Sequence, residues 1–379
     1  MPPAPSSIAV IIPYRFVPPQ NGGHHAAFGF CEALAQERDT VVISTTNNIK
    51  DNLPFRLELL FSDRFYKYFN PLIILRLWRF FYKGNIKTCI IQQPFFGLIA
   101  LPVCRMLRIR FIVYVHNIEF QRFKTISKWW WRLLYPIERI IYRAADYLLF
   151  ISSDDLEASI PIFKLDPEKC APMPYGTRLS EMPGDRIYAR QQIIKRHHYN
   201  KEELLILFFG PQSYQPNLDA VERIIYHINP ILLQKTDFAY RILICGGGLP
   251  EHYKRLVDYK IQYIDYLGFV ENIDIYIKAV DIVLNPINTG GGVKTKVIEA
   301  IALGTTVISS RTGAKGIDAN ACGEKLIIVE DEDNQAFVKE ILALQQQKEK
   351  AVPATFYKAY NWERNIQNIF KKLNIIKSM

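Results

Sequence analysis

The residues with the plainest chemical potential lie between positions 285 and 316, in NPINTGGGVKTKVIEAIALGTTVISSRTGAKG. The triplet Gly290-Gly291-Gly292, preceded by Thr289 and followed by Val293, comes directly after an apolar run, 279–284, that reads as a buried strand. From 293 to 303 the residues Val293, Val297, Ile298, Ile301 and Ala302 recur at helical spacing, and Gly304 stands where a helix terminates. The next apolar run, 305–308, reads as another strand. A glycine turn leading from strand into helix aims backbone N–H groups and the positive end of the helix dipole at one spot, which suits a phosphate. Lys294 and Lys296 fall in the first helical turn and add mobile positive charge. Glu299, three residues past Lys296, is expected on the same face. These residue types in this order predict a diphosphate site with a carboxylate beside it, placed to accept hydrogen bonds from sugar hydroxyls.

Taken whole, Gly-Gly-Val-Lys-Thr-Lys-Val-Ile-Glu-Ala-Ile-Ala-Leu-Gly-Thr-Thr-Val-Ile resembles the donor-binding signature of the GT-B-fold retaining glycosyltransferases. That group is large and nucleotide-sugar-dependent, and includes sucrose synthase-like and mannosyltransferase enzymes (glycosyl transferases group 1). The resemblance implies that Glu299 holds the ribose of a nucleotide sugar and that the loop from Thr289 to Val293 touches the diphosphate and the sugar. Many members carry a second glutamate eight positions before the first; here that position is Gly291. Further strings resemble the same family: His116-Asn117-Ile118-Glu119, whose histidine would approach the donor sugar; 144–152; 173–177; and 266–270, whose backbone would lie beside the base. Gly22 and Gly23 match an N-terminal glycine loop near the donor phosphates, and Gly210 ends the first strand of the second half. Some relatives place an Arg and a Lys just beyond that strand, where this chain has Gln212 to Gln215, so Lys294 and Lys296 become the expected counter-charges.

The elements needed to hold these residues follow from hydropathy. Strands are expected at 8–13, 41–44, 111–115, 204–209 and 241–245, with a helix over 24–36 carrying Ala27, Phe30, Cys31 and Leu34 on one stripe. Residues 17–23, VPPQNGG, read as a loop; the order strand, glycine loop, helix, strand opens a Rossmann-like half, although GxGxxG is lacking. His116 follows an apolar strand, at the end where open α/β sheets bind ligands, and Glu119 is either a helix-start charge or an acceptor-side base. The polar stretch 181–201 reads as a hinge. The expected fold is therefore α/β, two Rossmann-like domains facing across a cleft (GT-B). Residues 1–185 would bind the acceptor and 200–355 the nucleotide sugar, while 356–379, including a basic amphipathic helix at 362–377, would cross back to the first domain.

Composition narrows the class. The chain has 379 residues, room for two buried cores. Its six cysteines are scattered without a CxxC pair, which fits a reducing compartment and gives no metal cluster. The acidic string Asp331-Glu332-Asp333 precedes a helix and reads as its cap. The first residues lack a basic leader, and no apolar run reaches the ~18 residues of a spanning helix, so a cytoplasmic enzyme is expected. The net charge of +10 is concentrated in 61–143, which holds fifteen Lys/Arg against three Asp/Glu. Within it, Leu72, Leu75, Trp78, Arg79 and Tyr82 fall on helical spacing with Arg76 and Lys83, and 123–143 repeats the basic and aromatic mixture. Such segments suit either packing on their own domain with a solvated edge or an anionic membrane surface, where each cation contributes roughly 1 kcal/mol. Nucleic acid is not expected, because no recognised binding module accompanies the charge.

The function expected is transfer of a sugar from a nucleoside-diphosphate sugar to a glycan or lipid-linked acceptor, in polysaccharide or glycolipid assembly, with no metal or other cofactor. His116, Lys296 and Glu299 are the residues expected to act on the donor. A nucleotide-sugar epimerase of related fold and a degenerate, non-catalytic binding module are the alternatives.

Overall fold

The computed structural model describes residues 8–20, 22–68, 70–125, 129–235, 237–347 and 349–373. These divide into two compact units. One runs up to Arg178 and includes Gly291–Val293 and the residues from Tyr360 onward; the other comprises Leu179–Gly290 and Lys294–Ala359.

The first unit is built on a parallel sheet of β1 (Ile8–Ile12), β2 (Thr40–Thr45), β3 (Arg56–Phe61), β4 (Thr88–Ile91), β5 (Arg110–Val115), β6 (Tyr147–Phe150) and β7 (Cys170–Pro172). Its strand order is β3-β2-β1-β4-β5-β6-β7. Connections are made by α1 (Gly22–Glu37), α2 (Pro71–Lys83), α3 (Gly97–Met106), α4 (Glu119–Thr125), α5 (Trp131–Ala144) and α6 (Ser153–Phe163). Strand β1, IAVII, is buried at every position, as a central parallel strand covered on both faces must be. On one side Leu77, Phe81, Phe96, Ile141 and Phe163 close the core.

In the second unit β8 (Leu204–Phe209), β9 (Tyr240–Cys245), β10 (Ile264–Gly268), β11 (Ile282–Asn285), β12 (Thr306–Ser310) and β13 (Leu326–Val329) form a parallel sheet in the order β10-β9-β8-β11-β12-β13. Around it lie α7 (Arg186–His197), α8 (Gln215–Arg223), α9 (Asn229–Lys235), α10 (Ile273–Ala279), α11 (Thr295–Ala302), α12 (Ala319–Cys322), α13 (Asn334–Gln345) and α14 (Ala354–Ala359). This is the doubly wound order, and the winding reverses between β8 and β11, the place where such sheets hold ligands at the strands' carboxyl ends. A last helix, α15 (Trp362–Lys372), belongs to the first unit: Thr177 and Asn361 form a parallel bridge, and Trp362 lies flush against Gly29 and Gly176, where a Cβ would sit 2.6 and 2.7 Å from its ring.

Three expected elements differ from the structure, and one strand is unforeseen. The run 279–284 is not one strand: Ala279 ends α10 and β11 starts at Ile282. Gly22 and Gly23 are not loop residues but the first two residues of α1. The stretch 181–201 is not a bare hinge, because α7 fills it and packs on α10. Only Ala189 and Ile193 of α7 are buried; the helix is held instead by Arg186, which donates to the Leu303 carbonyl at 2.9 Å and Thr305 at 2.8 Å, and by Arg190, which pairs with Asp281 at 2.9 Å. Strand β3 is an edge strand that the pattern RLELLF does not announce. Of the basic stretches, residues 69 and 126–128 lie outside the described residues, as do 374–377 of the expected terminal helix.

Candidate functional site

The glycine loop leaves the carboxyl end of β11, beside the reversal of winding. Its first residues are fixed from below. Asn285, fully buried, donates to Ser309 at 2.9 Å and to the Gly313 carbonyl at 3.1 Å, and Ser310 donates to the Ile287 carbonyl at 2.5 Å. Arg223 of α8, itself buried, donates to Asn288 at 2.8 Å and to Asn334 at 2.7 Å. Gly290 has φ +83, and a Cβ there would meet the Tyr214 hydroxyl at 2.8 Å, so the turn is reserved for glycine. Gly292 also has positive φ, at +74. Thr289 is exposed and donates at 3.4 Å to Asp219. Val293 is half-buried, and the helix begins at Thr295.

Lys294 therefore stands at the cap of α11 rather than in its first turn, and it is not a mobile charge: the side chain is buried and its Nζ donates to the Gly290 carbonyl at 3.1 Å, folding the loop upon itself. Lys296, one turn position on, is held differently. The residue as a whole is half-buried, and its ammonium, turned inward, donates to Asn217 Oδ1 at 2.9 Å and lies 4.4 Å from the centre of the Phe208 ring, the penultimate residue of β8. Burial, helped by the neighbouring Lys294 charge and opposed by Glu299, lowers its pKa to about 7. Glu299 is half-buried on the next turn of the same helix.

Gly210 explains how Lys296 comes so close to the sheet. It has φ +138, and a Cβ there would lie 2.9 Å from Asn217 Nδ2 and 3.0 Å from the Lys296 Nζ. The Asn217 amide is in turn anchored to the Pro211 carbonyl at 2.8 Å. Within the second unit the structure thus brings together Gly210, Lys296 and the unforeseen Asn217 and Phe208, while the equally unforeseen Arg223 holds the start of the loop. Gly210→Ala is expected to displace the ammonium and to destabilise the second unit by about 1–3 kcal/mol, the usual cost of a strained backbone; denaturant unfolding measures it.

In the first unit, β5 delivers His116 at its carboxyl end. The ring is half-buried against Tyr114, centroids 4.2 Å apart, and its Nε2 is buried without a partner among the described residues. Burial lowers its pKa to about 4, so at neutral pH the imidazole is uncharged and can exchange a hydrogen bond without carrying charge. Glu138, fully buried on α5, accepts from the Glu119 and Phe120 backbone N–H groups at 2.8 and 2.9 Å and from the Tyr142 hydroxyl at 3.0 Å, capping α4 three residues beyond His116. Glu119 forms an ion pair with Arg122 at 2.6 Å and starts this helix. Gly22 and Gly23 open α1, and Asp333 caps α13 by accepting from the Ala336 N–H at 2.9 Å.

Residues 20–181 match the family model of Glycosyltransferase Family 4 and residues 203–347 that of Glycosyl transferases group 1. No curated protein sequence matches the chain. Among solved structures, HepE of Anabaena in complex with UDP aligns over 98% of this chain and 100% of its own, with TM-score 0.72 and 12% identity. Sucrose-phosphate synthase from Thermosynechococcus elongatus aligns over 97% and 99%, with TM-score 0.72 and 16% identity. WaaG, a glycosyltransferase involved in lipopolysaccharide biosynthesis, aligns over 98% and 100%, with TM-score 0.63 and 13% identity. Two parallel doubly wound sheets with these likenesses define the GT-B fold. The chain is a glycosyltransferase, with a Glycosyltransferase Family 4 domain followed by a Glycosyl transferases group 1 domain.

Proposed function

We propose that this glycosyltransferase takes its sugar from a nucleoside-diphosphate donor and transfers it, with retention at the anomeric carbon, to a glycan or lipid-linked acceptor in cell-surface polysaccharide or glycolipid assembly. The observation that carries the donor assignment is the buried Lys296 ammonium, set between Asn217 and Phe208 beside Gly210 and at the foot of the glycine loop. A charge held out of bulk water, with its orientation fixed in advance, is worth more to a departing anion than a mobile one.

On this reading the bond between the anomeric carbon and the diphosphate breaks, an acceptor oxygen bonds to that carbon, and the acceptor's proton passes to the leaving diphosphate. Lys296 and the amides of Gly290, Gly291, Gly292 and Val293 meet the charge that develops on the diphosphate, and the reading assigns no metal or cofactor to the reaction. Glu299 accepts from the ribose hydroxyls. His116, neutral and with an unpartnered Nε2, hydrogen-bonds the sugar. Gly22 and Gly23 act through the start of α1, and Thr289 and Gly210 complete the donor set. The solved complexes of HepE with UDP and with UDP-glucose make uridine diphosphate the first nucleotide to try. The acceptor side is assigned to the first unit, and its basic surface to work at an anionic membrane.

Thermal unfolding against a panel of nucleoside diphosphates tests the donor site. A nucleotide at 100 times its dissociation constant is expected to stabilise the wild type by about 2.7 kcal/mol and Glu299→Ala by much less. Equal stabilisation of both removes Glu299 from the ribose; stabilisation by none, with intact nucleotide sugars also silent, removes the donor assignment.

A further inference from the structure

The first sheet is wholly parallel, so the helices that cross back over it run against the strands, and their carboxyl ends gather at the edge where strands begin. At that edge, where α2 leads into β4, α3 into β5 and α5 into β6, lies an open cavity of about 640 Å³ lined by Lys87, Thr88, Arg105, Arg108, Arg110 and Asp146. Four cations face one carboxylate, and that carboxylate is already committed: Asp146 pairs with Arg105 at 3.0 Å and accepts the Phe111 N–H at 2.7 Å. Arg110 spends one donor on the Leu373 carbonyl at 2.9 Å. The side chains of Lys87 and Arg108 have no partner among the described residues. Arg108 sits in the left-handed region, φ +53, held there by the tight turn in which Ile109 N–H bonds the Cys104 carbonyl at 2.8 Å.

The helices above this cavity have an unusual outer surface. On α2, Leu72, Leu75 and Tyr82 are about 59, 60 and 68% exposed, interleaved with exposed Arg76, Arg79 and Lys83. Met106 ends α3 at 67% exposed, and α5 adds exposed Ile140 and Arg143. The three helices carry a single carboxylate between them, Glu138, and it is buried. A surface meant only for water mixes both signs of charge; one that alternates apolar and cationic groups matches the interface of an anionic bilayer.

We infer that the cavity is a phosphate pocket that seats the headgroup of an anionic membrane lipid, while the outer faces of α2, α3 and α5 rest on the bilayer. The inference builds on the proposal that the first unit works at an anionic membrane. Strand β5 separates the pocket from His116 by roughly 20 Å, at about 3.3 Å per residue, so the pocket is an anchor and not a place of reaction.

Vesicle sedimentation with phosphatidylglycerol or phosphatidylcholine, in millimolar glycerol 3-phosphate or in chloride of matched ionic strength, tests it. The full chain is compared with Lys87→Gln/Arg108→Asn, where asparagine tolerates the left-handed backbone, and with Arg76→Gln/Arg79→Gln. The wild type is expected on anionic vesicles alone and to be released by glycerol phosphate beyond the effect of salt. The pocket pair is expected to bind about tenfold more weakly and to ignore glycerol phosphate, whereas the α2 pair weakens but remains competable. If glycerol phosphate acts no better than chloride, or acts equally on the pocket pair, the pocket is overturned and the membrane reading stands. If the wild type ignores lipid charge, the membrane reading falls and the lipid assignment with it. A glycerol phosphate stabilisation confined to chains with Lys87 and Arg108 would then identify free phosphate as the ligand instead.

Discussion

Lys296→Met is expected to reduce sugar transfer by about 100- to 1000-fold, the range seen when one preorganised donor to a developing anion is removed. Methionine keeps the length and most of the volume of the side chain, so the contact with Phe208 survives while the charge and the bond to Asn217 are lost. The pH dependence carries a distinct signature. In the free protein the ammonium has a pKa of about 7, because burial disfavours the charge. A bound diphosphate favours it, so donor binding above that pH takes up a proton, and affinity falls by up to about tenfold per pH unit as pH rises from 7. Calorimetry in buffers of different ionisation enthalpy reads this uptake directly, and Lys296→Met is expected to abolish it. Stability moves in the opposite sense. The unfolded chain keeps this ammonium until about pH 10.4, so between pH 7 and that value it holds more protons than the folded chain, and folding grows more favourable as pH rises. Without ligand, Lys296→Met is therefore expected to unfold at a higher temperature than wild type, with the gain greatest at or below pH 7. A residue whose removal stabilises the fold while disabling transfer is there for the chemistry.

Glu138→Ala is expected to destabilise the first unit by about 3 kcal/mol or more. Two backbone N–H groups and the Tyr142 hydroxyl lose their acceptor, at about 1–3 kcal/mol for each buried group left unsatisfied, and a cavity opens beside them. Because those N–H groups begin the helix that follows His116, the loss is also expected in turnover, with nucleotide affinity unchanged. Glu138→Gln retains the shape and one acceptor oxygen, and is expected to recover part of both. Denaturant unfolding gives the stability, and kcat measured at a temperature where the variant is fully folded gives the separation; a kcat loss no larger than the unfolded fraction would mean that the first unit merely unfolds.

The parts of this architecture that were legible in the sequence are those in which local pattern and tertiary role coincide. Strand β8 matches its apolar run at both ends, since a parallel strand covered on both faces has no reason to be anything but apolar. The glycine loop was legible for a similar reason: only glycine fits the positive φ of Gly290 and Gly292, and the helix after it is strongly periodic. What escaped was everything fixed by side chains meeting across distance. Nothing in the order of residues tells that Lys294 folds back on Gly290 while Lys296 reaches Asn217, seventy-nine residues away. Helix α7 was hidden because arginine hydrogen bonds to carbonyls, and not an apolar stripe, attach it. Glu138 was invisible because a buried glutamate looks like any other until its acceptor partners are found.

The return of α15 to the first unit bears on how the chain is made. Trp362 fills the space against Gly29 and Gly176, Gln367 bonds Glu37, and Arg110 takes the Leu373 carbonyl. A ribosome that has released residue 178 has therefore not released everything that the first sheet needs, and some 180 further residues emerge before Trp362 can arrive. The second unit lacks this dependence on distant sequence apart from its short excursion at Gly291–Val293, and all of it has been made before Trp362 arrives. Until then the face of α1 that receives Trp362 stays uncovered, and it is the surface a chaperone would meet on the nascent chain.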